Sequence, residues 1–216
     1  MPADPSFLAH LSGRSNLDLL AALHGNPDVT DRDDAAKTLD LRPDDLDRPV
    51  GGYSSGMKQK LAIVAALQHR PELVVLDEPA NRLDPIAHRA FCALLKDTAR
   101  QGRTVLLSSH VLAEVEAVCD DVLLVRDGRL LASASVEDLR ACATRVVTLV
   151  YDSPPMTTPP DLCDARVEGC SINGRIPSAR ADVVRQLLSD SHVIDVTIEP
   201  PSLEEVVLTL YTADRQ

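Results

Sequence analysis

Residues 53–84 read YSSGMKQKLAIVAALQHRPELVVLDEPANRLD, and the order of breaks and apolar runs in this stretch decides the fold. A polar turn, Tyr53-Ser54-Ser55-Gly56, opens a helical pattern to about His69, with Leu61, Val64, Ala65 and Leu67 on its buried side. Ser54 or Ser55 is placed to cap the first backbone N–H groups. Arg70-Pro71 ends the helix, because proline has no N–H with which to continue it. Glu72–Asp77 then reads as a strand, and its unbroken Leu73-Val74-Val75-Leu76 centre predicts burial on both faces, as in a parallel sheet. The strand delivers two adjacent carboxylates, Asp77 and Glu78, into a short loop that ends at Leu83-Asp84-Pro85. A helix N-terminus suited to anions, near a carboxylate pair suited to a metal and a water, points to nucleotide chemistry.

Working outward, Leu17, Leu20 and Leu23 line one face of a helix from about Arg14, with Gly25 as its stop. A second short helix runs through Ala35-Ala36 to Leu41, where Pro43 prevents extension, and Asp44–Pro49 is a polar link. Downstream, Ile86–Gln101 is a helix with Pro85 at its start and Gly102 at its end. Thr104–Ser108 reads as another buried strand, His110–Cys119 as helix and Asp121–Arg126 as a third strand. Asp127-Gly128 is a two-residue hairpin turn into Arg129–Ala134, and Ser135 with Asp138 caps a helix over Val136–Cys142. Alternating strands and helices give an α/β layered domain over residues 1–143. Residues 144–216 have another texture. Strands Arg145–Tyr151, Ala165–Gly169, Ser171–Ile176 and Val193–Glu199 accompany helices Ala179–Ser189 and Leu203–Tyr211, around a Pro-rich link at 153–160. This is a small α+β accessory domain.

Composition bounds the function classes. The 216 residues are enough for a sizeable core, and 44% hydrophobic with 25% charged residues is ordinary for a globular chain. Aromatic residues make up 2%, so Leu, Val and Ala must build that core. A net charge of −11 argues against nucleic acid as a partner, since phosphate neutralisation needs clustered Lys and Arg. Five widely spaced cysteines without a CxxC pair read as free thiols of a reducing compartment, not as a zinc site or disulfide framework. Neither a membrane-length apolar run nor a signal peptide is evident, which leads to an expectation of cytoplasmic location.

Each candidate residue has a plain reading beside the chemical one. Asp77 is suited to hold Mg²⁺ and Glu78 to orient or deprotonate a water, although strands often simply end in solvated acids. His110, just after a strand end at Ser108-Ser109, is placed to bridge a phosphate and a carboxylate, yet a lone histidine at a helix start is commonly a cap. Ser54-Ser55-Gly56 is equally an ordinary N-cap or a phosphate contact.

Taken together, their order and spacing resemble the ATP-binding cassette (ABC) ATPases, and specifically the ATPase subunits of bacterial drug and antibiotic export systems. YSSGMKQKL resembles the signature motif of that family, with Tyr53, Ser54, Gly56 and Met57 on its positions and Ser55 where glycine is usual. LVVLDEP looks like Walker B, ANRLDP like the D-loop with Asp84 as its aspartate, and SSH like the switch-histidine region. The resemblance covers about residues 5–143, and the end of the chain, PPSLEEVVLTL, is similar to an extension on many export ATPases. It implies a P-loop NTPase fold with a helical subdomain, with ATP and Mg²⁺ as ligands. Glu78 and His110 would be catalytic, Asp77 would face the metal, and Tyr53, Ser54, Ser55, Gly56, Met57 and Asp84 would bind nucleotide. It also implies a second ATPase subunit in a head-to-tail dimer and a membrane permease that holds the protein at the inner face of the membrane.

One family part is absent from these residues. Walker A needs GxxxxGK[ST], and no Gly-Lys pair occurs; the four lysines stand at 37, 58, 60 and 96. The sequence is therefore expected to be a cassette subunit without its front section, starting just beyond the Q-loop. Three expectations follow from that. The LVVL strand loses a neighbour and exposes an edge; the chain alone neither binds ATP tightly nor hydrolyses it; and Ser54 and Gly56 retain a role in trans on a complete partner. The competing reading is a non-catalytic interaction or regulatory fragment that supplies a signature motif or dimer surface. A cassette protein acting on ribosomes or DNA is disfavoured by the acidity.

Overall fold

The computed structural model describes residues 1–25, 29–142, 144–176, 181–187 and 192–213. It forms two compact units, Met1–Val118 and Cys119–Gln216.

The first unit begins with α1 (Gly13–Leu23), which Ser12 caps by accepting the Ser15 N–H. Buried Asn16 on α1 ties down the preceding segment, accepting from the Leu8 N–H and donating to the carbonyls of Leu8 and Ser12. Three short elements follow: α2 (Arg32–Thr38), α3 (Pro43–Leu46) and a 3₁₀ turn at Val50–Gly52. Pro43, expected only as a stop, opens α3, because a first helical residue needs no N–H partner. α4 (Ser55–Leu67) crosses this group and buries Leu61, Ile63, Val64 and Leu67 among Leu17, Leu39 and Leu46. Arg32, Asp18 and Gln68 lock α2, α1 and the end of α4 through hydrogen bonds of 2.6 to 3.0 Å.

β1 (Leu73–Asp77) pairs in parallel with β2 (Thr104–Ser108), and α5 (Pro85–Arg100) is the crossover between them. α6 (Leu112–Val118) follows β2. Parallel pairing across a helical crossover is the expected α/β arrangement. The expected burial of both strand faces is not. Val74 and Leu76 are buried, whereas Leu73 is 55% and Val75 49% exposed, and Leu106 on β2 is 52% exposed. The helical core packs against one face of this two-stranded sheet and leaves the other uncovered. The edge of β1 away from β2 is partly taken up: the Met1 ammonium donates to the Val75 carbonyl at 2.6 Å, and the Asp77 N–H donates to the Met1 carbonyl at 3.0 Å.

In the second unit β3 (Asp121–Arg126) and β4 (Arg129–Ser135) form the predicted hairpin. Asp127 and Gly128 both have positive φ, 49° and 73°, as a type I′ turn requires. Ser135 caps α7 (Val136–Cys142), accepting from the Asp138 N–H and donating to the Asp138 carboxylate. β5 (Arg145–Tyr151), β6 (Cys163–Glu168), β7 (Ser171–Ile176) and β8 (Val193–Glu199) make an antiparallel sheet in the order β6-β7-β5-β8. Val147, Leu149, Ile172 and Ile176 form its core with Val183 and Leu187 of α8 (Ala181–Leu187). α9 (Leu203–Ala213) ends the described chain. Residues 179–180 and 188–189 of the helix predicted at Ala179–Ser189 lie outside the described residues. Cys92, Cys163 and Cys170 carry free thiols.

Candidate functional site

The site lies in the first unit, where the C-terminal ends of β1 and β2 meet the start of α4. Asp77 is the last residue of β1, and its carboxylate accepts a 2.6 Å hydrogen bond from the Ser108 hydroxyl at the end of β2. The same hydroxyl oxygen accepts the Glu78 N–H at 2.9 Å, so one side chain fixes both acidic residues. Glu78 leaves the strand with a φ of +45°, a left-handed turn that is uncommon outside glycine. Strand geometry alone would send Asp77 and Glu78 to opposite faces. This turn re-aims the second carboxylate, and both Glu78 oxygens lie 2.9 Å from His110 Nδ1.

His110 is held protonated to higher pH than an ordinary histidine, first by that hydrogen bond and then by the Glu78 charge. Behind it, the Ser109 hydroxyl donates to Glu114, whose other oxygen lies 3.1 Å from His88 Nε2. Asp84 is the N-cap of α5, where its Oδ1 accepts from the N–H groups of Ile86 and Ala87. These bonds, the one to Ala87 first, hold its carboxyl below the usual range.

Ser54 caps α4 by accepting the Met57 N–H, and both Ser54 and Ser55 are exposed at its N-terminus. Gly56 lies against the 78–84 loop: a Cβ on it would stand 3.0 Å from the Arg82 carbonyl oxygen. Tyr53 is placed differently from its neighbours. Its ring is buried in the helical core, its hydroxyl donates to the Asp45 carbonyl, and the Arg48 guanidinium sits 5.7 Å from the ring centre. Burial pushes its phenol pKa up. Met57 is half-buried, with its sulfur 3.7 Å from Arg48.

The structure thus gathers Asp77, Glu78 and His110 around Ser108, and sets the 54–57 turn beside the 78–84 loop. Two participants were not legible beforehand. Ser108 appeared only as a strand end before His110. Gln59 stands between Lys58 and Lys60, yet it is fully buried and donates to the Pro79 carbonyl at 2.7 Å. Among the described residues, no group of three or more His, Cys, Asp or Glu side chains could hold a metal ion. Asp77 offers one carboxylate, which suits an ion such as Mg²⁺ that takes its remaining oxygens from phosphate and water. No helix among the described residues is long and apolar enough to cross a membrane.

The fold is that of the P-loop ATPase class, and a family model described as "AAA domain, putative AbiEii toxin, Type IV TA system" matches residues 4–116. A solved structure titled "Structure of ATP binding subunit of ABC transporter" superposes with a TM-score of 0.59 at 30% identity, covering 64% of this chain and 59% of that one. The uncharacterized ABC transporter ATP-binding protein YcbN of Bacillus subtilis (strain 168) is 37% identical over 147 residues, 68% of this chain and 48% of that protein. The bacitracin transport ATP-binding protein BcrA of Enterococcus faecalis is 36% identical over 136 residues, 62% of this chain and 44% of that protein. ATP-binding cassette sub-family A member 7 of Rattus norvegicus is 33% identical over 227 residues, 96% of this chain and 10% of that protein. The chain belongs to the family of ABC transporter ATP-binding proteins. It spans about half the length of the bacterial relatives it matches.

Proposed function

We propose that this chain is the ATP-binding component of an exporter, working with ATP and Mg²⁺ beneath a membrane permease at the inner face of the cell membrane and pairing head-to-tail with a second ATPase subunit. The observation that carries this reading is the cluster in which Ser108 fixes Asp77 and Glu78 while His110 meets the Glu78 carboxylate. A carboxylate held this way is a base and an orienter for an attacking water, and the imidazolium beside it is a donor for a terminal phosphate oxygen. Asp77 is the residue that would hold Mg²⁺, whose chemistry when bound is to neutralise phosphate charge. The exposed hydroxyls of Ser54 and Ser55 at the N-terminus of α4 suit a nucleotide phosphate presented from outside the chain. Asp84 would serve the same interface.

Residues 1–143 carry the ATPase parts in this reading, and residues 144–216 are the accessory domain. These 216 residues contain no Gly-Lys pair, so by themselves they neither bind ATP tightly nor hydrolyse it. A micromolar affinity for Mg-ATP in a calorimetric titration would overturn that statement. The competing role, a non-catalytic chain lending its signature turn to a complete subunit, draws on the exposure of Ser54 and Ser55.

A mixing experiment tests the function. The chain is added to a complete cassette subunit whose own signature serine and glycine are replaced, and phosphate release is followed. Stimulation that is lost in the Ser54→Ala variant of this chain is the expected result. No stimulation by the folded chain rejects the role in trans.

A further inference from the structure

We propose that Gln59 is a positioning residue for Glu78: from α4 it holds the Pro79 carbonyl, and so fixes the left-handed turn that aims the Glu78 carboxylate at His110. Gln59 is fully buried although Lys58 and Lys60 flank it, and its Nε2 donates to the Pro79 oxygen at 2.7 Å. The amide has one workable orientation, since the reverse would face two acceptors. Its Oε1 is buried with no hydrogen-bond partner among the described residues. A leucine or methionine would fill this space without burying an unpaired acceptor, so packing does not explain the glutamine. The bond it makes does.

Three restraints converge on the turn. The Ser108 hydroxyl holds the Glu78 N–H, Gln59 holds the carbonyl of the next residue, and His110 holds the carboxylate. Pro79 and Ala80 are buried, so the Pro79 carbonyl is left without its Gln59 donor if the side chain is removed. A φ of +45° at a glutamate persists only where its surroundings over-determine it. Gly56, one turn before Gln59, packs on the Arg82 carbonyl at the far end of the same loop. The first two turns of α4 therefore grip the 78–84 loop at both ends. A displacement of residues 54–57 is carried to Glu78 through a buried hydrogen bond instead of through solvent.

The catalytic meaning of that link rests on the ATPase reading above, but the link itself is testable in this chain without nucleotide. Gln59→Leu and Gln59→Glu are prepared with Thr98→Val, which loosens α5 in the same unit away from the turn. Magnetic resonance follows the His110 imidazole, which faces Glu78 and Glu114, and the Glu78 backbone amide. In Gln59→Leu, the His110 titration falls toward that of an exposed histidine, and the Glu78 amide exchanges about tenfold faster or more. In Gln59→Glu a donor exists only while the buried carboxyl, raised by desolvation, is protonated. Its Glu78 amide signal therefore moves from the wild-type position to the Gln59→Leu position as pH rises. Unchanged His110 and Glu78 signals in Gln59→Leu overturn the proposal, as does an equal change in Thr98→Val. Either outcome is independent of the mixing experiment, so failure of the ATPase reading and failure of this link are told apart.

Discussion

Tyr53 lies on the signature-like turn but in the core, and a double-mutant cycle with Gly13 measures how tightly it is held there. A Cβ on Gly13 would run into the Tyr53 hydroxyl and stand 3.3 Å from both the Leu46 carbonyl oxygen and Tyr53 Cζ. The ring is 6% exposed, and its hydroxyl is engaged by Asp45, so it has little room to give way. Forcing a methyl into such packing costs about 1–3 kcal/mol. Replacing a helical glycine returns at most about 1 kcal/mol, and less in the first turn, where Gly13 stands. Gly13→Ala is therefore destabilising by about 1–2 kcal/mol. Tyr53→Phe loses one hydrogen bond to a carbonyl, about 1 kcal/mol. With the hydroxyl gone, the worst overlap goes too, and the remaining neighbours need to shift only a few tenths of an ångström. Gly13→Ala should then cost little in the Tyr53→Phe background, a coupling of about 1 kcal/mol or more. Because the chain has two units, exchange of the slowest α4 amides is the measure of choice, reporting on the first unit alone. Additivity within about 0.5 kcal/mol would refute the packing argument. So would loss of partner stimulation in Tyr53→Phe without loss of stability, which would return the ring to a ligand-contact role.

Two further outcomes are expected. His69 stacks on His24 with ring centres 4.6 Å apart, and burial, then the His24 charge, depresses its pKa. A depressed histidine lends stability that is present above its unfolded pKa and lost as pH falls through the folded one. Acidification from neutral pH should thus weaken the first unit through His69, and His69→Gln should flatten that part of the amide-exchange profile against pH; an unchanged slope counts against it. His110 works in the opposite sense, its pairing with Glu78 contributing at low pH and fading as pH rises. In the second unit, Gly128→Ala places a side chain at φ +73° and should weaken the β3–β4 hairpin by about 1–2 kcal/mol, read from its cross-strand amides. Undiminished protection there would mean that the turn is not of type I′.

Local signals were the legible part of this chain. Asp127-Gly128, the Ser135–Asp138 pair, Pro85 after Asp84 and the Ser54 cap each act within a few residues, so their elements appear where the residues predict them. The parallel pairing of β1 with β2 was legible because a helix of sixteen residues separates two apolar runs. What an apolar run does not carry is the number of layers around it. Leu73 and Val75 look as buried as Val74 and Leu76, and only the packing of α4 and α5 on one side separates them. Gln59 was hidden for the converse reason: between two lysines it reads as solvated, and its burial depends on a loop twenty residues away. Asp77, Glu78 and His110 stand out in the sequence by their places at strand ends and by resemblance to the cassette motifs, whereas the left-handed turn that joins them is a property of Ser108 and the loop. No pattern of residue types announces it.

Asp84 assigns different duties to the two oxygens of one carboxylate. Oδ1 takes both N–H groups at the start of α5. The second oxygen has no part in that cap. Asn could keep the Oδ1 cap while replacing the second oxygen with a donor group; Ala removes both. The pair of substitutions therefore separates a foundation from a contact: a function that survives in Asn but not in Ala uses Asp84 to anchor the helix, and one lost in both without unfolding uses the outward face of the acid.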